Sequence, residues 1–433
     1  MKTAICILLS ILLPFAAYGQ EDIDISLTDD ELLLEDASRF SISGHYKNLI
    51  TYFRTDHFID ENGEPSGRKE LIADLNRIRL SPEFRFSENI LLHCDIDNEI
   101  IAANYVGSRT FDLFWRPSDY NDLYDPSLDS TFADDYSYQL NLHRLYMKFV
   151  SGDFTMTAGR QQIRFGSGRL WNPLDILNPI SPTFVEGAED QKGTDALRVE
   201  YYPDESSEIA FVYAPRRVDD ELDFRTLANK NTHIISRIRA TVRDTDLAVL
   251  GGRVARRNLV GIDIAAILMD GMLRGSLLYA SPDEGSAYFL GSVGYEYNFA
   301  NGIYCMAEYF YNENALNRNR SLLAAYEESA LYGMNEDRYQ QLANQFLTFN
   351  RHYAGIAIGY DITPLLRCDL FAMADIEGRG IYFSPSLKYN LLQNIDISVT
   401  AMLGHVFEGA DHTSDFESFE DHPLFSVVLQ WYF

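Results

Sequence analysis

The sequence predicts an all-β fold: a transmembrane antiparallel up-and-down barrel of about 18 strands with long extracellular loops. Three observations lead there. Strand-like segments of about 10 to 14 residues recur, the gaps between them alternate short and long, and the last segment ends on an aromatic residue. No stretch after the N-terminus approaches the ~20 consecutive apolar residues of a membrane helix, so the gap rhythm decides. Short gaps fall at "SEN" (Ser87), "SGD" (Ser151), "PDES" (Pro203), "RDTD" (Arg243), "MDG" (Met269), "FANG" (Phe299), "ITP" (Ile362) and "LLQN" (Leu391). Long gaps span 55–70, 104–136, 165–193, 217–233, 314–349 and 409–422, with briefer ones at "RRN" (Arg256) and "EGRG" (Glu377) in the same slots. Tight turns at one rim and longer loops at the other are what a barrel requires when both termini lie in the periplasm. A secreted sandwich has no reason to sort its loops this way.

The elements follow in order. Lys2 precedes the apolar run "AICILLSILLPFAA", and Ala17 and Gly19 offer a cleavage site, so residues 1–19 read as an export signal. Residues 20–39, with the acidic run "TDDELLLEDASR", form a periplasmic lead. The barrel occupies 40–433. In "LIADLNRIRLS", Arg77 and Arg79 oppose Ile78 and Leu80, and in "ILLHCDIDNEI" His93, Asp95, Asp97 and Glu99 oppose Leu92, Cys94 and Ile96. In "TDALRVEYYP", Arg198 and Glu200 oppose Leu197, Val199 and Tyr201. In "THIISRIRATVR", Arg237, Arg239 and Arg243 oppose Ile234, Ile238 and Val242, while Arg367, Asp369, Asp375 and Glu377 share one parity near "LRCDLFAMADIEG". The loop 314–349 has the Leu, Tyr and Ala spacing of an amphipathic helix. In the closing "PLFSVVLQWYF", Phe425, Val427, Leu429, Trp431 and Phe433 share a parity, as in the terminal strand that the outer-membrane assembly machinery recognises.

One parity of each strand must therefore face lipid and the other the lumen, because an Arg or Lys against lipid at mid-depth costs about 2–4 kcal/mol. Two readings of the charged lumen stand side by side. Arginines and carboxylates neutralise one another, or the arginines form a track whose planar forks guide an anion. The net charge of −28 does not decide, since the acidic excess sits in outer loops such as "SDYNDLYDPSLDSTFADDY" and "EGADHTSDFESFED". Those loops are expected at the lipopolysaccharide surface of the bacterial outer membrane.

Nothing points to catalysis. Cys94, Cys305 and Cys368 fall at apolar parities, and the nine histidines have no metal-ligand spacing. No Gly-rich loop cradles phosphate, and no serine–histidine pair is singled out. An enzyme, a cofactor, a metal and a nucleic-acid partner are not expected.

The stretch "GRQQIRFGSGRLWNPLDILNPISP" begins as a strand and then leaves the sheet, with Gly166, Gly168 and Asn-Pro steps at Asn172 and Asn178. As an extracellular connection it is suited to fold back into the barrel and narrow it. Arg164, Arg169 and Asp175 would then carry charge at the constriction, with Trp171 pinning the loop or stacking on a sugar. The segment 158–203 resembles the signature of the alginate-export family of outer-membrane barrels, through Gly159, Arg160, Gln161, Gly166, Arg169, Asp175, Gly193, Asp195, Ala196 and Arg198. The resemblance implies 18 strands and an arginine-lined conduit for polyuronate. Two Asn-Pro steps depart from that signature. The expected function is a channel for anionic or polar solutes, acidic saccharides foremost, lined by Arg77, Arg79, Arg160, Arg164, Arg169, Asp175, Arg198, Arg237 and Arg239. The alternatives are a general porin without saccharide preference and a plugged barrel that binds a surface partner.

Overall fold

A computed structural model describes residues 39–116, 122–124, 126–133, 135–179, 192–216, 232–333, 335–409, 412–420 and 422–433. The expected export signal and nearly all of the periplasmic lead lie outside the described residues. The strands are β1 (Phe40–Thr55), β2 (Lys69–Ser87), β3 (Ile90–Ala103), β4 (Leu128–Ala133), β5 (Tyr136–Ser151), β6 (Phe154–Gln161) and β7 (Thr194–Asp204). They continue with β8 (Ser207–Ala214), β9 (His233–Val242), β10 (Thr245–Val254), β11 (Arg257–Leu268), β12 (Gly271–Pro282) and β13 (Tyr288–Asn298). The last six are β14 (Tyr304–Asn312), β15 (His352–Thr363), β16 (Leu366–Asp375), β17 (Gly380–Leu392), β18 (Ile395–Val406) and β19 (Leu424–Tyr432).

Each strand pairs antiparallel with its neighbours, and β1 closes the sheet on β19, with Lys47 opposite both Arg77 and Gln430. Eighteen strands span, and the six-residue β4 is the nineteenth. Every short gap read from the sequence is a turn at one rim, and seven of the eight contain only two residues between strands. The turn at Met269 and Asp270 shows how. Both residues have positive φ (50° and 62°), the twist that lets a two-residue connection join antiparallel strands. At the opposite rim the loop 313–351 carries two helices, α2 (Arg320–Tyr332) and α3 (Glu336–Leu342), where amphipathic spacing predicted them. A third, α1 (Arg109–Trp115), starts at Ser108, whose side chain accepts from the Phe111 amide.

One strand stops halfway. β5 pairs with β6 only along its periplasmic half, from Ser151↔Phe154 to Leu145↔Arg160. Along its extracellular half β4 takes over, from Leu140↔Leu128 to Tyr136↔Ala133. A stretch of the long loop thus completes the wall where β6 leaves it, so β5 keeps its ladder partners.

Alternation sorts the faces. Exposed apolar residues such as Phe211, Ile238, Val249, Ile262, Leu277, Val293, Ile356, Val399 and Val427 form the outer belt. The three described cysteines are free and share the outward parity. A closed barrel leaves no unpaired edge in lipid, and this architecture is one that spans the bacterial outer membrane.

Candidate functional site

The lumen has two halves of opposite character. Toward the extracellular rim, inward residues from all round the wall are buried and apolar, among them Phe53, Leu71, Ile101, Val212, Ile235, Leu278, Leu290, Phe310, Tyr353, Tyr382 and Leu424. They form one apolar cluster with residues of other extracellular loops, Phe53 meeting Tyr105 and Tyr382 meeting Phe416, and of the connection that follows β6: Ile163, Phe165, Trp171, Leu174, Ile176 and Leu177. The loop enters the barrel as a wedge, and burial of each large apolar side chain contributes about 1.5–3 kcal/mol toward keeping it there. Trp171, only 2% exposed, stacks on Phe310 with ring centroids 5.6 Å apart and planes at 8°. Gly355 on β15 makes room, since a Cβ there would sit 2.4 Å from Leu170 Cδ1.

Polar contacts fix the path. The Glu308 carboxylate, on β14, accepts from three successive backbone amides: Arg169 (3.0 Å), Leu170 (3.2 Å) and Trp171 (2.7 Å). Asp263 on β11 accepts from the Ser167 amide (3.1 Å) and hydroxyl (3.0 Å). Within the loop, Asn172 Nδ2 donates to the Phe165 carbonyl (2.7 Å) while its Oδ1 accepts from the Leu174 amide. Gly166, at φ 82°, turns the chain at a spot where a Cβ would strike Asn172. The Asn344 side chain beyond α3 donates to the Leu177 carbonyl, tying the extracellular helices to the wedge.

Toward the periplasm the lumen is charged, with its pairs on β2 and β3 buried and accessible surface at Arg164, Arg169 and Arg239. Arg77 meets Glu99 (2.5 Å), Arg79 grips Asp97 through two bonds (2.6 and 2.7 Å), and Arg237 meets Glu208 (2.5 Å). Arg198 pairs with Glu200, and Arg239 with Asp246 (3.2 Å). The two arginines of the wedge hang into this space. Arg164 pairs with Asp175 (3.1 Å), and Arg169 reaches Glu296 (3.1 Å) near the periplasmic end of β13. The side chains of Arg164, Arg169 and Arg239 keep 42%, 53% and 45% of their surface accessible, so these three can turn toward a solute. Every arginine expected along the solute path therefore has a carboxylate partner, and the neutralising arrangement describes this part of the wall.

Two expected positions fall elsewhere. Arg160 shares the outward parity of Met156 and Ala158, opposite Leu145 and Asp195. It bonds Asp195 (3.0 and 2.9 Å) and the Tyr124 carbonyl (2.6 Å), and is sealed beneath the 122–124 segment, so it does not line the lumen. Asp175 belongs to the interior of the wedge. Burial pushes its carboxyl up to about 7 against the pull of Arg164. Sequence reading missed Glu308. Its signal was a lone carboxylate between apolar inward neighbours, Met306 and Phe310.

An eighteen-stranded antiparallel barrel, apolar outside and charged inside, constricted by an inserted loop, is the fold of an outer-membrane porin. The structure is similar to Pseudomonas aeruginosa OccK8 (OprE), with a TM-score of 0.50 and 10% identity over 90% of this chain and 98% of that one. It is also similar to Pseudomonas aeruginosa OccK2 (OpdF) in complex with glucuronate, with a TM-score of 0.50 and 8% identity over 91% and 97%. No family model and no curated protein sequence matches the chain. The likeness is one of fold, and it is to the Occ porins rather than specifically to alginate exporters.

Proposed function

We propose that the chain is an outer-membrane channel that passes small anionic or polar solutes, acidic saccharides foremost, by facilitated diffusion past the inserted segment 162–179. The observation that carries this reading is the pair of half-exposed guanidiniums, Arg164 and Arg169, presented by the wedge where the charged part of the lumen meets the apolar part. Each can exchange its carboxylate partner for that of a solute through two parallel hydrogen bonds. Several weak exchanges conduct better than one tight site, because the solute must also leave. Arg239 and Arg237 supply further steps toward the periplasm. The glucuronate held by one of the similar structures and the resemblance of 158–203 to alginate exporters make a uronate the solute to try first.

The test is single-channel recording of the refolded barrel across a salt gradient, with and without glucuronate or oligouronate. Anion-selective current reduced by uronate supports the proposal, and current indifferent to uronate supports a general porin. A second reading is favoured by the burial of the whole extracellular half: the barrel stays shut and acts as a surface scaffold. Absence of current at every voltage selects it.

A further inference from the structure

Among the described residues the outward face of the barrel is apolar at mid-height apart from the lone Ser236 hydroxyl and two places where charged or amide side chains gather. The first is the Arg160–Asp195 pair, which the chain roofs with its own 122–124 segment: the Leu123 amide donates to Asp195 (2.7 Å), and Arg160 is 2% exposed. The second lies on β1–β3 and has no roof among the described residues. There, Asn48 and Asn76 donate to one carboxylate oxygen of Asp74 at 2.6 and 3.1 Å, and Tyr46 donates to Asn76 (2.6 Å). Asn98 continues the patch on β3, accepting from Tyr138 (3.3 Å). These residues alternate with lumen-facing Lys47, Leu75, Arg77 and Glu99, all buried, so their outward parity is fixed by the pleat.

Depth makes the patch costly in lipid. The exposed Arg54–Glu70 pair, on the same outward parity, marks water at the extracellular rim. Asp74 lies four residues below Glu70, roughly 13 Å along the strand, and Asn76 two residues further. Below them the outward positions return to Ile78 and Leu80 and reach the exposed Phe84 and Phe86 near the periplasmic turn. The cluster thus sits within an apolar belt only ~25 Å tall, flanked by exposed Ile50 and Ile72. Polar side chains at such a depth face a cavity or another protein segment, where interhelical and interstrand hydrogen bonds replace water.

We propose that this face docks a second copy of the chain. The patch complements itself. Both hydrogen bonds to Asp74 fall on one oxygen, leaving the other as an acceptor; the Asn48 amide is spent on Asp74, the Leu75 carbonyl and Asn76, while the amides of Asn76 and Asn98 hold donors to spare. A rotation axis through β1–β3 brings donors of one copy to the acceptor of the other, inside a rim of isoleucines. That is the self-complementary form of a symmetric interface. It is independent of what the lumen conducts.

The chain carries its own reporter. Cys94 is free, outward, and two outward positions below Asn98 on β3, whereas free Cys305 and Cys368 lie on β14 and β16, well round the barrel. The experiment is mass measurement of the full chain in lipid nanodiscs, together with bis-maleimide cross-linking in the membrane and peptide mapping. The expected result is an oligomer whose cross-links join Cys94 to Cys94, lost in the double variant Asp74→Leu/Asn76→Leu. That variant removes polar groups from a lipid-facing surface, so the barrel still folds, and its retained conductance and heat-modifiable migration show this. A monomeric wild type in lipid overturns the proposal. So do an oligomer that survives the double variant, and cross-links that map to Cys305 or Cys368. Persistence of the wild-type complex only with lipopolysaccharide, as a monomer bearing bound lipid, also overturns it.

Discussion

The two halves of one lumen differ although the same wall makes both. Above, inward Val212, Ala214, Ile235, Leu290 and Phe310 are buried and apolar; below, on the same or adjacent strands, inward Glu208, Arg237, Arg239 and Glu296 are charged and paired. Inward parity is therefore not polar by rule. It is apolar where it packs on side chains of the inserted loop, and where it is polar the buried groups are paired, as Asp375 is by Asn350 and Ser414 and Glu308 by three amides, since an unpaired buried charge would cost several kcal/mol for each ion.

The sharpest way to break this division is to release the wedge. Glu308→Ala removes a carboxylate that holds three amides, with each such charged hydrogen bond contributing ~1.5–3 kcal/mol. We expect the largest effect here, a several-fold rise in single-channel conductance with the barrel still folded. Unchanged conductance would mean that the apolar packing alone holds the loop. Trp171→Ala should come next. It opens a cavity worth about 3–5 kcal/mol between Phe310 and Tyr353, and frequent flickering to larger open levels is the expected record.

Smaller effects sharpen the lower half. Arg164→Ala with Arg169→Ala should shift the reversal potential toward cations without enlarging the conductance, and should raise the uronate concentration that halves the current. An identical reversal potential in the double variant would remove these two residues from the path. The smallest effect expected is a pH dependence. Burial raises the Asp175 carboxyl to about 7, so at pH 6 it is mostly protonated and Arg164 is free for a solute. At pH 8 it is ionised and neutralises Arg164. Anion preference should fall between pH 6 and 8, and Asp175→Asn should hold it at the low-pH level throughout.

Much of this was legible in the sequence for a simple physical reason. Period-two alternation is set by the pleat, and the lipid face tolerates few exceptions, so Arg77, Arg79, Arg198, Arg237 and Arg239 could be placed on the lumen side from their neighbours alone. The turn rhythm located the periplasmic connections. What could not be read depended on contacts distant in sequence. β4 lies inside a 32-residue connection between β3 and β5 and becomes a strand only because β6 stops at Gln161. The sequence suggests an inward Arg160. Its parity is that of Met156, and it is made tolerable by a roof built from residues 122–124 that alternation cannot announce. The salt partners of Arg164 and Arg169 were likewise invisible, because one lies inside the loop and the other 127 positions away.

Glu308 holds the loop by its main chain, and that separates two evolutionary pressures. The amides of residues 169–171 are present whatever the side chains are, so position 169 can drift through many amino acids without loosening the anchor. Relatives of this barrel can thus diversify what they admit by single substitutions on the loop, while selection on folding acts through the wall. A library randomised at position 169 should return mostly folded barrels with a wide spread of ion preference.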